Sequence, residues 1–179
     1  MSKQLTRISK LLSLVLRHQP DHIGLTLDSE GWAKVPELIE KINQQGIRID
    51  FATLQVIVDS NDKKRFAFND DKTCIRASQG HSIDIELNLM AQAPPAILYH
   101  GTAGKSIDAI RRDGLRKMSR QHVHLTTSLT TAQQVGERYG RPVILTVQAL
   151  LMHEQHYEFY LSDNGVWLTD HVPVQFIQF

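Results

Sequence analysis

The chain has 179 residues, 41% hydrophobic and 22% charged, with a formal net charge of +1. That is enough for one or two small domains with a real core, without the bulk basicity of a general nucleic-acid binder. Cys74 is the only cysteine, which excludes an internal disulfide or a multi-cysteine zinc site and fits a reducing cytoplasm. No apolar run approaches the ~18–20 residues of a membrane span, so a cytoplasmic protein with no membrane attachment is expected.

In chain order, Leu5, Ile8, Leu11, Leu12, Val15 and Leu16 recur at spacings of three and four. They form one face of an α-helix that Pro20 ends, and this periodicity separates the N-terminus from a secretory leader. "GLTLDSEGWAKV" reads as a hairpin turning at residues 28–31. "VPELIEKINQQG" is a helix with proline near its start and Gly46 past its end. "DFATLQVIVDSN" is a third helix with Asp50 as N-cap. "KRFAFNDDKTCIRA" is a second hairpin turning at residues 69–72. The order helix, hairpin, helix, helix, hairpin is that of a winged-helix module. "AQAPP", with two prolines, then marks a linker. The expected division is a first lobe over 1–90, a linker over 91–95 and a second lobe over 96–179. The second half carries the strand-like runs "AILYHGT", "HVHLTTS", "PVILTVQAL", "YEFYLS", "GVWLTD" and "VPVQFIQF", interrupted by the helical "KSIDAIRRDG" and "TTAQQVGERYG". Strands dominate, so the chain is expected to be α+β with a mixed α/β second lobe.

Three places carry candidate chemistry. Arg17 and His18 end the first helix, where cations are favourable by ~0.3–1 kcal/mol even without a ligand. In "KKRFAF", strand alternation sets Phe66 and Phe68 on one face and Arg65 and Ala67 on the other. In "RRDGLRKMSRQHVHLTT", Arg111, Arg112, Arg116, Lys117 and Arg120 oppose only Asp113. If Arg120 leads into the strand, Arg120, His122, His124 and Thr126 share one face, opposite Val123 and Leu125. A third metal ligand is not evident beside the two histidines, so no metal is expected. Arginine donates two parallel hydrogen bonds to phosphate and stays charged at all ordinary pH, and a nearby histidine adds a donor that titrates near neutrality. This residue set suits a phosphoryl group that gains charge as it reacts. The G-x-G-x-x-G, G-x-x-x-x-G-K-[ST] and G-x-S-x-G motifs are missing; "GTAG" at residues 101–104 is too short.

"LSLVLRHQP", "GWAKV", "KRFAF", "IRASQGHS", "YHGT", "HVHLTTS" and "NGVWLT", in this order over roughly residues 12–173, resemble the NAD-dependent RNA (tRNA) 2′-phosphotransferase family. The resemblance implies an N-terminal winged-helix RNA-binding lobe and a C-terminal ADP-ribosyltransferase-like NAD lobe. It implies that an internal RNA 2′-phosphate, of the kind found at tRNA splice junctions, attacks the C1″ carbon of the nicotinamide ribose and expels nicotinamide. The ribose 2″-hydroxyl then attacks phosphorus in the RNA-2′-phospho-ADP-ribose intermediate, leaving RNA with a 2′-hydroxyl and ADP-ribose 1″,2″-cyclic phosphate. The family's catalytic arginine–histidine pair matches Arg17 and His18, and its two further arginines match Arg65 and Arg120, so the site is expected to gather from both lobes. Arg65 and Arg120 are expected on phosphate oxygens, and Arg17 and His18 in phosphate orientation and transesterification.

The same resemblance places cofactor contacts at His100, Gly101, Thr102, His124, Thr126 and Ser128. His100 would hold the nicotinamide ribose, and the Gly101 backbone would face the nicotinamide amide. His124 stands where ADP-ribosyltransferases of the histidine-tyrosine-glutamate type have the tyrosine, and Val166 where they have the glutamate. A phosphate acceptor is already an anionic nucleophile, so the glutamate is dispensable and ordinary protein ADP-ribosylation is disfavoured. The partners expected are RNA bearing an internal 2′-phosphate and NAD, with no obligate protein partner. The basic run over residues 111–120 is a candidate contact for the RNA backbone or the NAD pyrophosphate. The nearest alternative is an ADP-ribosyltransferase that stops at the terminal phosphate of a nucleic acid. A more distant one is a winged-helix regulator of duplex DNA; the acidic Glu37 and Glu40 on its second helix argue against it.

Overall fold

The apolar periodicity of the N-terminus becomes helix α1 (Lys3–Arg17), capped where the Leu5 N–H donates to Ser2 Oγ at 3.2 Å. Its Ile8, Leu12, Val15 and Leu16 are fully buried, each contributing about 1.5–3 kcal/mol of burial. Pro20 opens a single 3-10 turn, Pro20–His22, that stops it. The structure is a computed structural model describing residues 2–85, 87 and 89–179; of the expected first lobe, Met1, Glu86 and Asn88 lie outside the described residues. The chain divides into two compact units, Met1–Asn88 and Leu89–Phe179.

After α1 the first unit runs β1 (Ala33–Lys34), α2 (Val35–Gln44), α3 (Phe51–Ser60), β2 (Phe66–Phe68) and β3 (Cys74–Ala77). Asp50 caps α3 by accepting the Thr53 N–H at 2.8 Å. The strands form one antiparallel sheet in the order β1-β3-β2, with Ala33 opposite Ile75, Phe66 opposite Ala77 and Ala67 opposite Arg76. Ala33, Phe66, Ile75 and Ala77 bury one face of the sheet in the same core as the α1 stripe, Leu38, Ile42, Leu54 and Ile57. The opposite face carries Ala67 and Arg76, and alternation puts Arg65 on that side.

The expected first hairpin contracts to one bridge, Leu27 opposite Ala33. The Asp28 carboxylate accepts the N–H groups of Glu30 and Trp32 at 3.0 and 2.9 Å, so the side chain replaces ladder partners. Gly31 takes φ +85° within that turn. Four residues after Gly31 α2 begins, and β1 pairs with β3 instead. The second hairpin turns where the sequence places it, with the Asn69 N–H donating to Cys74 O and the Lys72 N–H to Asn69 O.

The second unit contains β4 (Leu98–Ala103), α4 (Ile107–Asp113), β5 (Leu115–Arg116), β6 (Val123–Leu125), α5 (Leu129–Glu137), β7 (Pro142–Val147), α6 (Ala149–Glu154), β8 (Phe159–Leu161), β9 (Trp167–Thr169), β10 (His171–Val172) and β11 (Ile177–Gln178). Small antiparallel sheets, β11-β7-β4, β6-β9-β8 and β10-β5, surround a core that includes Leu98, Leu125, Leu145, Val147 and Phe159. Helix α5 lies against β4 at backbone distance: a Cβ on Gly101 would sit 1.8 Å from Ala132 O, and one on Gly136 2.7 Å from Thr102 O. The run "PVILTVQAL" does not continue as strand through its last residues. It turns into α6 at Ala149, which with Met152 faces the core while Leu151 stays exposed. The whole is a mixed α/β protein of small antiparallel sheets, with six α-helices among the described residues. None of the described helices is long and apolar enough to cross a membrane.

Candidate active site

The α1 periodicity that buries Leu16 also delivers Arg17 to the last helical turn, where it is 8% exposed. His18 follows as the C-cap, its N–H donating to Leu14 O at 3.0 Å. Residues 78–82 close over this helix end. The Ser82 N–H donates to Arg17 O at 3.0 Å, and Ser82 Oγ lies 2.8 Å from His18 Nδ1, donating or accepting according to the ring's tautomer. The pair is thus held by both backbone and side chain.

The same segment starts on the second hairpin. The Ser78 N–H donates to Arg65 O at 2.9 Å and the Ser78 hydroxyl to Lys64 O at 3.0 Å, anchoring Arg65 at the head of β2. Across the sheet, Arg76 stacks on Trp32 with its guanidinium carbon 4.4 Å from the ring centroid, and its Nη1 donates to Glu30 O at 3.4 Å. Beneath lies His81, fully buried, with no hydrogen-bond partner for either ring nitrogen. Burial, then the charges of Arg17, Arg76 and His18, push its pKa down to about 4, so the ring is neutral at physiological pH. Arg17, Arg76 and His18 are thus all near enough to act on this one ring. The planar fork of an arginine at such a place suits a phosphate.

In the second unit, His100 Nδ1 lies 2.9 Å from His124 O. A carbonyl only accepts, so Nδ1 carries the proton. Burial pushes the His100 pKa down, with the His124 bond opposing it, and in the neutral ring Nε2 is then the acceptor. Tyr99 and Thr126 exchange backbone hydrogen bonds at 2.7 and 2.9 Å. Alternation along β4 therefore points the Gly101 N–H and C=O to the same edge as those of Tyr99. Thr126 Oγ1 accepts the Ser128 N–H at 3.1 Å, and Ser128 Oγ caps α5 by accepting the Thr131 N–H at 3.1 Å. Thr102 is buried. Val123 and Leu125 face the core while His124 and Thr126 are half-buried, as alternation requires.

Arg120 does not lead directly into that strand. β6 is confined to Val123–Leu125, and Arg120 sits in a preceding turn, its N–H donating to Lys117 O at 3.0 Å. The expected single face of Arg120, His122, His124 and Thr126 is thus broken before His122, which packs on Tyr160 at a 5.6 Å ring separation. Nor is the basic run one continuous patch. Arg111 stacks on Phe179 at 4.6 Å, Arg112 pairs with Asp113 at 3.2 Å, and Lys117 pairs with Asp170 at 2.7 Å.

Of the catalytic residues expected from the sequence, Arg17 and His18 stand together and Arg65 lies on the hairpin whose continuation covers them; Arg120 belongs to the second unit, as do His100 and His124. Trp32, Arg76, His81 and Ser82 stand near these residues with no sequence pattern to mark them. The last three fall within "IRASQGHS", a segment noted for its resemblance but given no chemical role. Among the described residues no group of three or more His, Cys, Asp or Glu is placed to hold a metal ion.

The family model for RNA 2′-phosphotransferase, the Tpt1 / KptA family, matches residues 3–171. A probable RNA 2′-phosphotransferase of Flavobacterium johnsoniae is 58% identical over 96% of this chain and 94% of its own length. Proteins of the same description from Fusobacterium nucleatum subsp. nucleatum and Burkholderia pseudomallei are 52% and 51% identical, each over 97% of this chain and over 97% and 95% of their own. The helix end, the hairpin that covers it and most of both units thus fall within one matched family, and the chain belongs to the RNA 2′-phosphotransferase, Tpt1 / KptA family.

Proposed function

We propose that this protein removes an internal 2′-phosphate from RNA by transferring it to NAD, with nicotinamide and ADP-ribose 1″,2″-cyclic phosphate as the other products. Membership of the family supports the removal of the phosphate. The observation that carries the residue assignment is the Arg17–His18 pair, fixed at the end of α1 by Ser82 and backed by the buried neutral ring of His81. In this reading the first unit is a winged-helix RNA-binding lobe and the second an ADP-ribosyltransferase-like NAD lobe.

The residues of the second unit fit a nicotinamide riboside. His100 Nε2 accepts a ribose hydroxyl proton because Nδ1 is committed to His124 O. The N–H and C=O of Gly101, on one strand edge, match the acceptor and donor of a carboxamide. Thr102, His124, Thr126 and Ser128 shape the same part of the lobe, with Thr126 and Ser128 acting through the turn they stabilise. When bound, NAD supplies an electrophilic ribose carbon and a stable leaving group. Arg17, His18 and Arg65 of the first unit are assigned to orienting and holding the 2′-phosphate, and Arg120 of the second unit to the charge that redistributes in the same reaction.

The test is to incubate the protein with a short RNA carrying one internal 2′-phosphate, with and without NAD, and identify products by mass. NAD-dependent formation of 2′-hydroxyl RNA and ADP-ribose cyclic phosphate is expected. A persistent RNA–phospho–ADP-ribose adduct would instead mean a transferase that stops after the first step. Untouched RNA and NAD would overturn the reading.

A further inference from the structure

Arg76 has no part in the assignments above, yet the fold fixes it more firmly than a surface arginine needs. Its register opposite Ala67 sets it on the sheet face away from the core, the side that alternation gives to Arg65. Its guanidinium lies over Trp32 at 4.4 Å, and Nη1 is tied to Glu30 O at 3.4 Å. A planar cation stacked on an indole is oriented before any ligand arrives. The segment that continues from Arg76 reaches the helix-end pair within six residues, where the Ser82 N–H donates to Arg17 O at 3.0 Å and Ser82 Oγ lies 2.8 Å from His18 Nδ1.

An internal 2′-phosphate never comes alone. The adjacent 3′ carbon of the same ribose carries the phosphodiester that continues the strand, so two anionic groups arrive side by side. A terminal nucleotide with a 2′-phosphate and a 3′-hydroxyl presents only one. The residues assigned above, Arg17, His18, Arg65 and Arg120, all answer the first group and leave the second unmatched.

We propose that Arg76, held flat on Trp32, binds the 3′,5′-phosphodiester next to the 2′-phosphate and so makes the site select internal over terminal 2′-phosphates. The proposal rests on the 2′-phosphotransferase reading above. A guanidinium offers paired N–H donors in a fixed plane, a geometry toward phosphate oxygens that ammonium does not share.

The experiment uses two RNAs of one sequence that end at or continue past the 2′-phosphorylated nucleotide, the first bearing a 3′-hydroxyl. The ratio of kcat/KM for the internal over the terminal substrate is measured in the wild type, Arg76→Ala and Arg76→Lys. The wild type is expected to favour the internal RNA. Arg76→Ala should lower the ratio by about tenfold to a hundredfold, the cost of one charge-assisted phosphate contact. For the internal RNA, the dependence of log kcat/KM on log salt should become shallower by about 0.7, one single-strand phosphate contact. A loss of packing alone would move neither the ratio nor the slope. Arg76→Lys keeps the charge and should lower the ratio several-fold; it decides the matter if the alanine variant does not fold. An unchanged ratio in the variants, or a wild-type ratio near one, overturns the proposal and leaves the phosphotransferase reading standing. A wild type inactive on both RNAs removes that reading and this proposal with it.

Discussion

Replacing His81 by glutamine tests whether the first unit buries a neutral imidazole among cations. The His81 pKa is lowered from 6.5 to about 4, first by burial and then by Arg17, Arg76 and His18. A histidine with a folded pKa below its unfolded value takes up a proton on unfolding within that window. Stability is therefore fully present above pH 6.5, falls as pH drops towards about 4, and levels off below. A shift of ~2.5 units at 1.36 kcal/mol each makes this at most about 3 kcal/mol. Glutamine does not titrate, so the gap in unfolding free energy between wild type and His81→Gln should narrow by about that amount from pH 7.5 to 4. His100 and His122, also pushed down by burial, are common to both proteins and cancel in the difference. The two tryptophans, Trp32 and Trp167, fall one in each unit. A Trp167→Phe background therefore lets Trp32 fluorescence report urea unfolding of the first unit alone. Parallel stability curves across that pH range would refute the buried neutral ring.

Three further outcomes follow from the geometry. Gly101→Ala would place its Cβ 1.8 Å from Ala132 O; a cost above about 3 kcal/mol is expected, read as a lower melting transition of the second unit, because backbone must shift. Ser82→Ala removes the hydroxyl beside His18 Nδ1; kcat/KM should fall several-fold while the melting temperature holds, and an unchanged kcat/KM would show that the contact does not position His18. Arg65→Ala and Arg120→Ala should each slow 2′-phosphate removal by about a hundredfold or more, the usual scale for losing a charge-stabilising donor; near-normal rates in either would strike that residue from the assignment.

Local chemistry made much of the fold legible. The three-and-four spacing of α1, the Asp50 cap of α3 and the turn of the second hairpin each rest on neighbours in sequence, and each stands where the pattern puts it. The departures have non-local or competing causes. The Asp28 side chain takes the donors that a longer first hairpin would use. Helix α6 follows where Ala149 and Met152 find core to fill. Arg120 is held in a turn ahead of the strand by the bond of its N–H to Lys117 O. Arg17 and His18 stand out in sequence because they are adjacent and end an apolar stripe, but it is the family resemblance that gives them a role. Arg76 and His81 do not stand out. A buried histidine has no sequence signature of its own, and the stacking of Arg76 on Trp32 depends on the register of β1 against β3, which no local pattern encodes.

The position of the pair at a helix end carries a further consequence. The C-terminus of α1 presents the negative end of the helix dipole, about half a charge, the poorer end for an anion. One acceptor there is already satisfied by the Ser82 N–H on Arg17 O; the remaining field favours cations and opposes any ligand that the cations do not outweigh. A doubly charged phosphate on Arg17 and His18 overcomes that field by direct charge pairing, and a neutral hydroxyl does not. In the proposed reaction the RNA arrives with the phosphate and leaves with a hydroxyl at the same carbon. The contacts that hold the substrate at this helix end are thus the ones that the chemistry removes, and the product retains only its backbone contacts. Product RNA should accordingly compete weakly with substrate, and more weakly still as salt screens what remains. Inhibition by 2′-hydroxyl RNA with a constant close to the substrate KM would contradict a site whose affinity is centred on the phosphate.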